Sequence, residues 1–449
     1  MTLARERVEP VVVVGAGLAG SEAAWQLARR GVPVVLHEMR PLQATPAHRG
    51  SDFAELVCSN SLRAADPGNA VGLLKEEMRR LGSLILEAAD ACAVPAGRAL
   101  AVDREAFAAH VTARIEADSR IEVRRGRLDT IPEAGRVILA TGPLTAEPLA
   151  GALRALVGDE ALYFYDAIAP VVYADSIDYE VAFRASRWED GEGDYVNLPL
   201  DRAAYASFVD ALVAADTVPL HPFEEALYFE GCLPIEEMAR RGRDTLAFGP
   251  MKPVGLRDPR SGRRPHAVVQ LRQEDKRGVL LGIVGFQTKL RVGAQRELFR
   301  TLPGLGEAVF ARFGSVHRNT YVNAPRWLGP SLELRTRPGL YLAGQMAGVE
   351  GYVESAALGL LAGVHAARSQ LGLEAPPPPA ETAHAALVRH LVEADPEHFQ
   401  PMNVNFGLFP PLPPGDAPRR RRERRRERHE RLALRALDAL GSFADRVAP

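Results

Sequence analysis

Four consecutive valines, Val11–Val14, run straight into Gly15-Ala16-Gly17-Leu18-Ala19-Gly20. A continuous β-branched run of this kind suits a strand buried on both faces of a parallel sheet. Ser21 to Arg30 is rich in helix formers, and Gly31 can end that helix. Val34-Val35-Leu36-His37 reads as the next strand, closing at Glu38. The opening is therefore a βαβ unit with a G-x-G-x-x-G turn and an acidic residue ending its second strand, the pattern of a dinucleotide site. Each part has a physical reason. Gly15 permits the tight turn. Gly17, with Leu18 and Ala19 beside it in the turn, lets the backbone approach a pyrophosphate at the positive end of the helix. Gly20 allows close packing of helix on strand, and Glu38 is placed to accept hydrogen bonds from ribose hydroxyls.

Two later segments read as parts of the same domain. Arg136 to Pro143 is a buried strand entering a turn at Thr141 and Gly142; Gly339 to Gln345 is another, followed by a small-residue helix from about Tyr352 to Ser369. An Ala-Thr-Gly turn and a late Tyr-Leu-Ala-Gly strand favour FAD over NAD. Gly344, Gln345 and Met346 stand where a helix N-terminus would face a flavin ring. There is no second G-x-G-x-x-G unit, so NADH or NADPH would bind transiently rather than in a domain of its own. The expected fold class is α/β: a Rossmann-like FAD-binding domain of the two-dinucleotide-binding flavoprotein type, interrupted by an α+β insertion domain, with a helical basic tail. The expected order is FAD-binding domain, first part, 1–150; insertion 151–315; second part 316–370; proline-rich linkers and basic helical tail 371–449.

The 449 residues carry 55 Lys+Arg against 57 Asp+Glu, a net charge of −2, so the totals give no global reason to expect a nucleic-acid partner. That balance hides a local excess: residues 419–431 hold nine arginines and three glutamates, a charge of +6. A charge run of this kind usually forms a solvated helix face, with Glu427 and Arg431 as one i,i+4 pair and Arg419 and Glu423 as another. The imbalance exceeds what a salt-bridged helix needs, which makes Arg420, Arg421, Arg424, Arg425 and Arg428 candidates for an RNA backbone. Leu432, Leu434, Ala436, Leu437 and Leu440 could continue the helix with an apolar side. The start of the chain shows no signal-peptide pattern and no stretch of about 18 apolar residues is present, so a cytoplasmic location without membrane contact is expected. Three cysteines, Cys58, Cys92 and Cys232, cannot make a disulfide framework, and their spacing suits no zinc site. Cys92 looks like a small core residue. Cys232 precedes Pro234, Glu236 and Glu237 at a helix start, where the dipole lowers a thiol pKa. Cys58 lies in a polar segment twenty residues after Glu38, within reach of a flavin edge.

Those cysteine segments carry a resemblance. Val57-Cys58-Ser59-Asn60-Ser61-Leu62-Arg63, Phe229 to Glu236, Gly249 to Leu256, Gln270 to Asp275, Val284 to Leu290, His317 to Asn323 and Gly344 to Ser355, together with Val11–Gly20, resemble the folate- and FAD-dependent tRNA (uracil-5-)-methyltransferases. The likeness runs from Val11 to about Gly363. It implies methylation of uridine 54 in the T-loop of tRNA, with the carbon from 5,10-methylenetetrahydrofolate and the electrons from reduced FAD. Uracil C5 is a poor nucleophile, and a thiolate adding at C6 activates it. A base must then remove the C5 proton and a hydride must complete the methyl group. The resemblance assigns Cys232 as nucleophile and Cys58 as base; the residues alone support the first role better, and Cys58 can equally shape the flavin site. It also brings His317, with its neighbour Arg318, to the folate, although an ordinary hydrogen-bonded histidine explains His317 as well. Arg272, Lys252 and Lys289 are further candidates for phosphate or folate, or simply solvated charges. The nearest rival is the FAD- and folate-dependent family that modifies the wobble uridine, whose chains are longer and lack the two cysteine motifs. A flavin oxidoreductase acting on a small metabolite explains the nucleotide site but neither Cys232 nor the tail. Oligomeric state is not legible.

Overall fold

The computed structural model describes residues 8–45, 47–133, 135–158, 162–167, 169–189, 191, 193–218, 233–314, 316–413 and 421–449; of 162–167, 316–320 and 421–425 it describes the backbone. Cys232 and Arg420 lie outside the described residues. The opening valines form the strand Val11–Val14, paired in parallel with Val34–Glu38 on one side and Val137–Leu139 on the other. Leu340–Leu342 and Ile121–Arg125 complete a five-stranded parallel sheet. Strands more than 300 residues apart thus share one sheet, as the continuous apolar runs require.

The helix Leu18–Arg29, capped at Gly17, begins three residues before the expected Ser21, so Gly20 lies inside it. It packs against Tyr352–Gln370. Small residues make that approach possible: a Cβ on Gly359 would lie 2.2 Å from the Ala19 carbonyl oxygen, and one on Gly363 would lie 2.7 Å from that of Ala23.

Between the two halves of this sheet the chain builds a second core. Six antiparallel strands, ordered Phe183–Arg184, Tyr195–Leu200, Ala267–Gln273, Leu280–Ile283, Val171–Tyr173 and Phe310–Arg312, carry the helices Arg202–Ala214, Ile235–Arg240 and Val292–Phe299. Val196, Leu198, Val269, Leu271, Phe286 and Phe299 are buried there, in a cluster separate from the first. Leu162–Ala167 leads out to this unit, Val316–Tyr321 leads back, and the two pair antiparallel. This is the interrupted α/β architecture.

The stretch after 370 is more than linkers and a tail. Ala383–Glu393 is a helix whose Ala383, Ala386, Leu387 and Leu391 are buried in the first core. Glu77 fixes it: one carboxylate oxygen accepts from the Ala383 amide (2.7 Å) and the other from the His384 amide (3.1 Å) and Nδ1 (2.7 Å). The prolines on either side mark turns around a core element. Arg421–Arg446 is the expected helix, and Leu432, Ala436 and Leu440 are buried; Leu434, expected on the same side, is 69 % exposed because it faces away from that stripe.

Candidate functional site

One elongated cleft, about 1180 Å³ including its open mouth, starts at the glycine turn. Its walls carry Gly15, Gly17, Leu18, Ala19 and Glu38 together with Thr141, Gly142, Gly344, Gln345, Cys58 and Tyr352. Of the residues picked out as a cofactor site, Ala16, Gly20 and Met346 do not face it. They pack behind it: Ala16 and Met346 are buried, and a Cβ on Gly20 would fall 1.7 Å from the Gly15 carbonyl oxygen. Gly17 is the converse, since nothing lies within 4 Å of its Cβ position. No side chain caps the helix at Gly17 and its first turn holds no acidic residue. The first-turn amides, unpaired within any helix, are thus left to an anion in the cleft. A cradle that a single methyl group would fill, at a helix N-terminus, fits a dinucleotide pyrophosphate.

Glu38 does more than wait for a ribose. One carboxylate oxygen accepts from the Ala16 amide (3.0 Å), and the other from the Arg40 amide (2.9 Å) and Arg40 Nε (3.1 Å). Burial pushes its carboxyl up, but the Arg40 charge and the two amides outweigh that and hold it below its ordinary value. With about four lone-pair positions on a carboxylate, three are engaged, one by the glycine turn and two by Arg40.

Cys58 sits where the two cores meet. The Tyr352 hydroxyl oxygen accepts from the amides of Cys58 (2.8 Å) and Ser59 (3.3 Å) and lies 2.8 Å from Cys58 Sγ. From the insertion sheet, Arg272 donates to Ser59 Oγ (2.8 Å) and Asn60 Oδ1 (3.0 Å), while Asn60 Nδ2 donates to the Gln273 carbonyl (2.9 Å). Arg312 donates to the Val57 carbonyl (3.0 Å) and Arg104 to that of Leu56 (2.9 Å), with Arg104 also paired to Glu274 (2.7 Å). Burial and the Arg104 charge push Arg312 down to about 10, so it stays cationic at neutral pH. The segment Leu56–Asn60 is therefore held from three directions by cations. The sequence did not single out Tyr352 or Arg104 as site residues and left Arg272 open between a phosphate or folate contact and a solvated charge; its guanidinium is committed to the Cys58 segment. Tyr352 and Arg272 lie inside the long motifs, whereas Arg104 lies in none of them and nothing in the sequence marked it. Lys289 is likewise paired with Glu237 (2.6 Å), whereas Lys252 is exposed.

Cys92 is buried, and burial pushes its thiol up, as suits a core residue. The helix expected after Cys232 is present at Ile235–Arg240, with Pro234 at its cap and Glu236 and Glu237 in its first turn. Glu236 is buried and accepts from Thr288 Oγ1 (2.8 Å) and the Lys289 amide (2.7 Å), which fixes that helix to the segment following the strand Leu280–Ile283. His317 and Arg318 lie on the returning strand Val316–Tyr321. Arg421, Arg424, Arg425 and Arg428 fall on the C-terminal helix; Arg428 is exposed, and Arg426 pairs with Glu430 (2.7 Å), a different i,i+4 pair from those expected. The docked half of that helix is held by Arg80 on the Leu437 carbonyl (3.3 Å) and Arg368 on that of Arg446 (2.8 Å). Among the described residues no helix is long and apolar enough to cross a membrane, and no group of three or more His, Cys, Asp or Glu could hold a metal ion.

Comparison with known proteins agrees with this arrangement. Residues 10–374 match the family described as Glucose inhibited division protein A. The chain is 61 % identical over 411 residues to the methylenetetrahydrofolate–tRNA-(uracil-5-)-methyltransferase TrmFO of Desulforudis audaxviator, covering 92 % of this chain and 93 % of that one. It is 56 % identical over 441 residues to the protein of the same name from Pelobacter propionicus, covering 98 % and 95 %. Aquifex aeolicus GidA shares the fold, with a TM-score of 0.70 at 17 % identity over 98 % of this chain and 77 % of that one. Identity at this level over nearly the whole length decides between the relatives: the chain belongs to the TrmFO family of methylenetetrahydrofolate–tRNA-(uracil-5-)-methyltransferases, within the wider family described as Glucose inhibited division protein A.

Proposed function

We propose that this protein methylates C5 of uridine 54 in the T-loop of tRNA, taking the carbon from 5,10-methylenetetrahydrofolate and the electrons from FAD reduced by NADH or NADPH. The observation that carries the reading is the continuity of one cleft from the glycine turn to Cys58. The amides at Leu18 and Ala19 receive the pyrophosphate, Gly17 leaves room for it, and Glu38 offers its remaining acceptor position to a ribose hydroxyl. Thr141, Gly142, Gly344 and Gln345 line the same cleft as Cys58. FAD, when bound, supplies the reducing equivalents that complete the methyl group. The protein's own chemistry lies in its thiols. The Cys232 thiolate adds to uracil C6, which makes C5 nucleophilic toward the folate-borne carbon. Cys58 takes the C5 proton as the tetrahydrofolate nitrogen leaves the transferred carbon, and as that carbon is reduced to methyl the Cys232 thiolate leaves C6 and the pyrimidine regains its double bond. His317 and Arg318 contact the folate. The target uridine must leave its stack for a thiol to reach C6, and Arg420, Arg421, Arg424, Arg425 and Arg428 hold the tRNA backbone while it does. Keeping two thiols free needs a reducing cytoplasm.

Incubation with tRNA, labelled methylenetetrahydrofolate and NADPH, followed by nucleoside analysis, tests this reading. Label should appear in 5-methyluridine at position 54. Flavin bound to the protein with no label in the tRNA would overturn it in favour of an oxidoreductase acting on a small metabolite.

A further inference from the structure

We propose that Tyr352 and Arg272 are positioning residues that hold Cys58 Sγ as a thiolate in the resting protein. The proposal deepens the role given to Cys58 above and rests on that reading for its purpose, but not for its test. The argument starts from the Tyr352 hydroxyl. Its oxygen accepts from two backbone amides, those of Cys58 and Ser59. An oxygen engaged by two donors has its own proton left to give, and Cys58 Sγ lies 2.8 Å away. A hydrogen bond donated to the ionised form of an acid favours that form, and sulfur accepts far better as thiolate than as thiol. Tyr352 can keep that proton to share. Its phenol is pushed well above the ordinary value, by burial first and then by the neighbouring sulfur.

The surrounding charge points the same way. Arg272, Arg312 and Arg104 approach the Cys58 segment from the insertion sheet and the helix beside it, and Glu274 is the carboxylate set among them. Three guanidinium groups against one carboxylate leave a positive excess. Glu55, the next acid along the chain, is engaged with Arg40 (3.0 Å) and the amides of Arg49 (2.8 Å) and Gly50 (3.0 Å). Arg272 is the member that reaches both side chains after Cys58. A thiolate so held can accept a proton from a carbon acid, become the neutral thiol, and return the proton to solvent between turnovers.

The test is the pH dependence of Cys58 alkylation by iodoacetamide in the full-length holoprotein, read by mass spectrometry of the Cys58 peptide. Cys92 in the same sample is the internal reference. In the wild type Cys58 should react at a pH below the ordinary thiol value, well before Cys92. Tyr352→Phe keeps the ring and removes the proton donor; it should move the midpoint up by about one unit, roughly tenfold slower alkylation at pH 7. Arg272→Met should shift it in the same direction, and Arg272→Lys should restore part of the loss. A wild-type Cys58 that titrates at or above an ordinary thiol overturns the proposal, and that measurement needs no variant. So does a midpoint that neither substitution moves. Because neither tRNA nor folate enters the assay, the two readings fail separately. An unshifted Cys58 with intact methyl transfer sinks only this inference, whereas a shifted Cys58 with no methyl transfer sinks only the function.

Discussion

Gly17 and Gly20 stand three residues apart in one motif, and the structure gives them opposite roles that two single-methyl substitutions would separate. In Gly20→Ala the new Cβ lies 1.7 Å from the Gly15 carbonyl oxygen and 2.9 Å from its carbon, both backbone atoms. Comfortable heavy-atom separation is about 3.5 Å, so the helix Leu18–Arg29 must back away from the strand turn by roughly 1.8 Å. A gap of 0.5–1 Å already forfeits about a quarter to a half of a contact's attraction. This helix buries Ala23, Ala24 and Leu27 completely. Ordinary overpacking costs about 1–3 kcal/mol, and here the obstacle is a carbonyl that cannot swing aside, so a loss of about 3 kcal/mol or more is expected. Against a total stability of about 5–15 kcal/mol that is a large fraction. Gly17→Ala places its methyl group in open space at an ordinary φ of −72°. Its stability should equal the wild type or exceed it by about 0.4–1 kcal/mol, through the stiffer unfolded chain. Yet it should bind flavin more weakly, because the methyl group occupies the pyrophosphate space. Denaturant unfolding followed by circular dichroism measures the first effect, and flavin absorbance after gel filtration the second. The reasoning is refuted if Gly20→Ala unfolds at the wild-type midpoint, or if Gly17→Ala loses stability comparably.

Cys232→Ala should abolish methyl transfer and any covalent adduct with 5-fluorouridine RNA; a surviving adduct removes Cys232 from the nucleophile's role. Replacing Arg420, Arg421, Arg424, Arg425 and Arg428 with alanine should weaken tRNA binding and reduce its salt dependence, by roughly 0.9 in the logarithmic slope per lost duplex contact. An unchanged slope would make the tail a solvated helix face. Lys75 is fully buried, donates to the Leu62 carbonyl (2.7 Å), and is pushed down to about 7 by burial first and then by Arg63. Between pH 7 and its ordinary 10.5 the unfolded chain binds the extra proton, so stability should rise with pH through this window, by up to about 1.4 kcal/mol per unit. Lys75→Met should flatten that rise, and denaturation midpoints from pH 6 to 10 that keep the wild-type slope would contradict it.

The parts legible in the sequence were those written in consecutive residues. Val11–Gly20 showed strand and turn because the β-branched run and the glycines that follow it are consecutive in the chain. The strands at Val137 and Leu340 were legible for a similar reason, since a strand buried on both faces must be apolar throughout. What the sequence hid depends on side chains brought together by the whole fold. Tyr352 reaches Cys58 across 294 positions and Arg272 reaches Ser59 across 213. Nothing local to either residue marks it as a partner of a cysteine. Glu77 shows the same limit. It is fully buried because the amides at Ala383 and His384 and the His384 ring, 306 and 307 positions on, satisfy it. With that helix unseen, its flanking prolines read as linkers.

The way the two cores meet bears on how the site works. Each core closes on its own apolar residues, and the bonds between them near Cys58 are polar. Arg272 binds Ser59 and Asn60, Asn60 binds the Gln273 carbonyl, and Tyr195 donates to the Ala96 carbonyl (3.0 Å). Lys276 donates to the Ala91 carbonyl (3.3 Å), and its amide to Asp103 (3.0 Å). Directional bonds to carbonyls and short side chains fix a relative position, whereas an apolar interface of the same size would tolerate sliding. Such polar contacts contribute little net stability, each about 0.5–1.5 kcal/mol, so the interface is not explained as a device for holding the chain folded. It does set the guanidinium of Arg272, carried by one core, against a cysteine carried by the other. A substitution that loosened the interface without touching Cys58 would therefore still change the environment of its sulfur. Asn60→Ala removes the bonds to the Val102 and Gln273 carbonyls (both 2.9 Å) and the acceptor for Arg272 Nε. It should shift the pH profile of Cys58 alkylation upward although the thiol and Tyr352 are intact, and a profile that stayed in place would show that the two cores act on the cysteine independently.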